Sequence, residues 1–278
     1  MRDNGIPEAR DQDFLNWFAG LAQEALGRLV SVRDQQGVEV RKDHLDLFLD
    51  LLAHDTGADP SALLDAMVAR RLGPEIVACD YASEAARSLG DSWLADEVSF
   101  VDVTIRSERL HGLVRRVDEM LVSTMQAGGP SALILVAEAE QHTLGAHVLA
   151  LKLRLAGFST VVRIAPVASE LTQLMTANRF DIALVSIGCV AGLDSGAGLV
   201  RTLRLLSRGE TRIYVGGAIP IEDDRLLEVT AADEVLRDVS ALLAQFAPNG
   251  AARALDRNEE SSEREGATSS VTGEQCDT

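Results

Sequence analysis

Residues 132–145 read ALILVAEAEQHTLG. The first six are apolar and uncharged, the right length for a strand buried on both faces of a parallel sheet. The next residues (EAEQH) are polar and read as a loop. From Thr143 a helical pattern runs to Ala156, with Gly157 placed to close it. Strand, polar loop and helix in this order open a βα unit. The grammar then repeats. Residues 160–164, 181–186, 211–215 and 234–236 read as strands, and residues 168–178, 196–207 and 239–246 as helices. The connections are long enough for parallel pairing, so the expectation is an α/β, doubly wound (flavodoxin-like) parallel sheet of five strands. Ligands in such sheets sit at the carboxyl ends of the strands.

Outward from this unit, Gly128-Gly129-Pro130 marks a boundary, and everything before it is helical in pattern. Residues 94–125 predict one long helix. Residues 75–89 predict another, stopped by Gly90. Asp59-Pro60-Ser61 starts a helix that continues over 62–71, and 44–54 forms one before it. Phe14, Trp17, Phe18, Leu21 and Ala25 share one helical face, either core or a partner-binding surface. Residues 248–278 are polar and Ser/Thr-rich, with too little apolar surface to offset chain entropy, and predict a disordered acidic tail. The expected division is a helical region and cap (1–127), an α/β domain (128–247) and the tail (248–278).

The 278 residues carry a formal net charge of −17, which repels phosphate backbones and argues against direct nucleic-acid binding. Cys79, Cys189 and Cys276 show no metal-ligand spacing and read as free thiols of a reducing compartment. Neither an apolar run of membrane-spanning length nor a signal-like N-terminus is present, so the expected location is the cytoplasm, with no membrane contact.

Three groups fall on the predicted carboxyl edge: Glu140-Gln141-His142-Thr143-Leu144-Gly145 after strand one, Ser186-Ile187-Gly188 after strand three, and Gly216-Gly217 after strand four. Forty residues separate Gly145 from Ser186, and 27 separate Gly188 from Gly216. A dinucleotide fingerprint after strand one is absent, and Ser186 occupies the place where a phospho-accepting receiver would need Asp.

In residue types and gaps these groups resemble the cobalamin-binding domain family, over roughly residues 130–247. The resemblance implies that His142 is the lower cobalt ligand, a role open to a neutral imidazole. It implies that Glu140 orients the imidazole through its other ring nitrogen, that Ser186 hydrogen-bonds the displaced base of the cofactor, and that Gly145, Gly216 and Gly217 leave room for the inserted tail. Two positions depart from the family: Glu140 stands for the usual Asp, and Gly188 ends the Ser-x-Leu motif in place of Leu. The cofactor so implied is adenosyl- or hydroxocobalamin, with haem as the alternative on a related scaffold.

The run Leu89-Gly90-Asp91-Ser92-Trp93, followed by Asp96 to Thr104, resembles the cap of regulatory cobalamin proteins. There a Trp covers the upper face of the corrin, and Trp93 matches it. The other reading of Trp93 is a core residue between helices. Val103-Thr104 stand where related photoreceptors carry Glu-His, so no upper ligand is expected from them. His111 follows on the same helix and could face the same side, whereas His44, His54 and His147 read as surface residues. Together these features resemble the AerR/PpaA-like antirepressors of photosynthetic bacteria. That resemblance implies a non-enzymatic regulator of photosynthesis genes that senses light or redox state and acts through a DNA-binding repressor. A corrinoid carrier for a methyltransferase and a haem-binding redox sensor are the competing functions.

Overall fold

The computed structural model describes residues 40–122, 128–138, 143–217 and 219–246. The aromatic N-terminal run, Glu140, His142 and the tail lie outside the described residues.

The helical part comprises α1 (Lys42–Ala53), α2 (Pro60–Val68), α3 (Pro74–Ile76), a π-helical turn (Val77–Tyr81), α4 (Ala82–Leu94) and α5 (Phe100–Val122). Asp59 caps α2 by accepting from the Ser61 N–H at 2.9 Å, with Pro60 at the first helical position. Two boundaries differ from the sequence reading. Gly90 does not stop α4, which runs through it to Leu94. The long helix does not begin at Leu94 either. Asp96 adopts φ +58°, and Ser99 starts α5 by accepting from the Asp102 N–H at 3.1 Å and donating to its carboxylate at 2.6 Å.

The α/β part runs β1 (Ser131–Val136), α6 (Leu144–Leu155), β2 (Ser159–Ile164), α7 (Ala168–Ala177), β3 (Ile182–Ser186), α8 (Leu193–Ser207), β4 (Arg212–Gly216), α9 (Asp223–Thr230), β5 (Glu234–Leu236) and α10 (Val239–Phe246). All pairings are parallel, in the order β2-β1-β3-β4-β5, the doubly wound sheet expected. Helix α9 is an addition to the sequence reading. Gly157, at φ +88°, ends α6, and the Phe158 N–H donates to the Leu153 carbonyl at 3.0 Å.

The sheet buries apolar residues on both faces, as its strand composition requires. Ile134, Val136, Leu184 and Tyr214 pack with α6 and α10 on one face, while Leu133, Leu135, Val185 and Ile213 pack with α7, α8 and α9 on the other. Helix α6 has a second partner. Its Val148 and Leu151 join the helical core of Phe48, Leu63, Met67, Tyr81, Leu110, Leu113 and Val117. Ion pairs from Lys152 to Asp80 (3.4 Å) and from Arg154 to Asp118 reinforce this junction. No helix among the described residues is long and apolar enough to cross a membrane.

Candidate functional site

Parallel register sets the floor of the site. Val136, Ser186, Gly216 and Leu236 form one row across β1, β3, β4 and β5 at the carboxyl edge, and Ile134, Leu184 and Tyr214 form the row below on the same face. Both rows face α6. Between them and the start of that helix lies a cavity of about 200 Å3. Gly145 and Ala146 line it from α6, Ser186 from β3, Gly216 from β4 with Gly217 just after it, and Leu236 from β5. A cavity of about 150 Å3 holds a benzene ring, so this one suits a fused bicyclic base. Its wall is mainly aliphatic, with Ile134, Leu149 and Leu184 beside the ring of Tyr214.

The glycines at this cavity have different steric surroundings. A Cβ on Gly216 would come within 2.5 Å of the Leu236 carbonyl oxygen, and one on Gly217, whose φ is +128°, within 2.4 Å of the Ile187 carbonyl oxygen. At Gly145 an added Cβ meets no atom within 4 Å. Ser186 supplies the polar group near the mouth, and among the described residues its hydroxyl has no hydrogen-bond partner. Toward the floor the Tyr214 hydroxyl donates to Gln245 Oε1 at 3.0 Å, and burial raises its pKa. Gly145, Ser186, Gly216 and Gly217 thus meet at one cavity, whereas Gly188 falls beyond its lining. Glu140 and His142 are outside the described residues. The flanks of their loop are the carboxyl end of β1, where the Ala137 N–H donates to the Ser186 carbonyl at 3.4 Å, and Thr143 at the start of α6.

The cap overhangs this edge. His111 on α5 meets His147 on α6 edge to face, with ring centroids 5.8 Å apart, and Asp118 meets Arg154. Both pairs have the same offset (147 − 111 = 154 − 118 = 36), so the two helices run parallel and Leu144 is level with Glu108. Residues 100–107 of α5 therefore project past the start of α6 by about 12 Å. The overhang and the end of α4 carry exposed apolar side chains: Trp93 (47% exposed), Leu94 (79%), Phe100 (70%), Val101 and Ile105. At that exposure Trp93 is not the core residue of its other reading. His147 is not an ordinary surface residue either. It and His111 are half-buried, burial lowers both pKa values, and His111 Nε2 lies 3.4 Å from Thr143 Oγ1. Spacing along one helix could not reveal this pair, which depends on the register between α5 and α6.

The Methanosarcina barkeri monomethylamine corrinoid protein superposes with a TM-score of 0.59 at 18% identity, covering 75% of this chain and 98% of that one, so the two share the fold. The chain belongs to the family of the uncharacterised 20.5 kDa protein in the bchF–crtJ intergenic region of Rhodobacter capsulatus, to which it is 37% identical over 186 residues, 66% of this chain and 97% of the relative. No protein-family model matches the chain.

Proposed function

We propose that the protein is a cobalamin-binding transcriptional regulator. It works as an antirepressor through a DNA-binding partner protein, in the cytoplasm and without catalysis of its own. The observation that carries the reading is the cavity that gathers Gly145, Ser186, Gly216 and Gly217 beneath an overhanging apolar cap. The residues fit the group: open space beside Gly145, a hydroxyl near the mouth with no partner among the described residues, and a wall suited to a flat apolar base. In this reading Gly145, Gly216 and Gly217 admit the nucleotide tail of adenosyl- or hydroxocobalamin, and Ser186 hydrogen-bonds its base. His142 would hold the cobalt, with Glu140 fixing its tautomer. Trp93 and the neighbouring apolar side chains would cover the bound corrin and keep water from it. Bound cobalamin would supply a light- and redox-responsive metal centre. The cap, tied to α6 by His111–His147 and Asp118–Arg154, is the element whose position such a change would bias.

The regulatory part rests on the net charge of −17, which disfavours direct DNA contact, and on the relative's place in a photosynthesis-gene region. A second reading, a corrinoid carrier that serves a methyltransferase, is favoured by the monomethylamine corrinoid protein as fold neighbour. Absorbance spectra of protein purified from cobalamin-fed cells, before and after illumination, test the cofactor and its signal. A light-sensitive corrin spectrum, with a repressor retained on the protein in one state only, supports the regulator. Methyl transfer from a methylated corrinoid form to an acceptor enzyme supports the carrier. A Soret band identifies haem and overturns both.

A further inference from the structure

Arg237 directly follows Leu236, the last residue of β5, and its side chain turns back over the loop that leaves β4. Nη1 donates to the carbonyls of Gly217 at 3.1 Å and Ile219 at 3.5 Å, and Nη2 donates to the Ile221 carbonyl at 2.8 Å. Nε donates to Asp223 Oδ1 at 2.9 Å. One guanidinium thus gathers three carbonyls and a carboxylate from residues 217–223. The planar fork of donors suits this task, where a lysine would offer only a point charge.

The loop so held adjoins the cavity. Gly216 and Gly217 line it where the loop begins, and Leu236, next to Arg237, lines it from β5. Gly217 sits at φ +128°, a conformation open to glycine, so the local sequence does little to fix the direction of the chain there. The constraint comes from Arg237. We propose that Arg237 is a positioning residue for the tail pocket: it fixes the loop after Gly216-Gly217, sets the width of the slot, and so sets affinity for corrinoids that carry a nucleotide tail. It acts through the loop and makes no contact with the ring. The inference rests on the corrinoid reading of the site.

The test titrates wild type, Arg237→Ala and Arg237→Lys with hydroxocobalamin and with aquacobinamide, which has the same ring but no nucleotide tail, following absorbance. Arg237→Ala is expected to bind cobalamin about tenfold more weakly and cobinamide as wild type does, with Arg237→Lys in between. Retained cobinamide binding also reports an intact fold, and if the Ala variant does not fold, the Lys variant carries the same comparison. Equal loss for both ligands, or undiminished cobalamin binding, overturns the role of Arg237 while leaving the corrinoid reading in place. Wild type that binds neither ligand overturns both.

Discussion

Gly145→Ala separates stability from binding, because the two should move in opposite directions. Gly145 is the second residue of α6, is exposed, and has no atom within 4 Å of an added Cβ, so the methyl group meets no clash. Replacing a helical glycine by alanine reduces the entropy of the unfolded chain and stabilises by about 0.4–1 kcal/mol. For a domain of this size that raises Tm by about 1–4 °C. The same methyl group stands at the cavity proposed for the cofactor tail. Overpacking a close contact costs about 1–3 kcal/mol, which weakens cobalamin binding about 5- to 150-fold. Thermal denaturation without cofactor gives the first quantity and a hydroxocobalamin titration the second. A variant as stable as or more stable than wild type that binds cobalamin equally well would refute the placement of the tail beside α6.

Ser186→Ala should leave Tm unchanged, since the hydroxyl has no partner among the described residues, and should weaken cobalamin binding by about 0.5–1.5 kcal/mol in the same titration. Gly216→Ala should lower stability by about 1–3 kcal/mol, read as a fall in the urea midpoint, because its Cβ meets the backbone oxygen of Leu236 at 2.5 Å. The half-buried His111–His147 pair predicts acid sensitivity. Its folded pKa values are lowered, chiefly by burial, so the unfolded chain takes up protons first. The stability present above about pH 6.5 is then lost as pH falls toward the lowered folded values. Urea midpoints at about pH 7.5 and about pH 5.5 should differ less in the His111→Gln, His147→Gln double variant than in wild type.

The sheet was legible because its strands are nearly unbroken apolar runs closed by glycine or polar residues, and because parallel pairing follows from the length of the connections. The cavity was legible in part. Ser186, Gly216 and Gly217 were placed on the carboxyl edge because each group follows a predicted strand. Helix α9 was not legible: its sequence DDRLLEVT is mostly charged or polar, and only Leu226 and Thr230 are buried. The start of α5 could have been read, since Ser99-Phe100-Val101-Asp102 carries the spacing of a capping box. The sequence reading instead began the helix at residue 94, ahead of the break at Asp96, whose φ is +58°. The His111–His147 contact and the Arg237 clasp join residues 36 and 14–20 positions apart across separate elements, which no local pattern records.

His142 is the proposed cobalt ligand. A hydroxocobalamin titration of wild type and His142→Ala, followed by absorbance, tests it most directly. Wild type should give the spectrum of a corrin with histidine in place of its own base. His142→Ala should lose that signature and bind about 100-fold more weakly or worse. Equal affinity and an identical spectrum in the two proteins would contradict it.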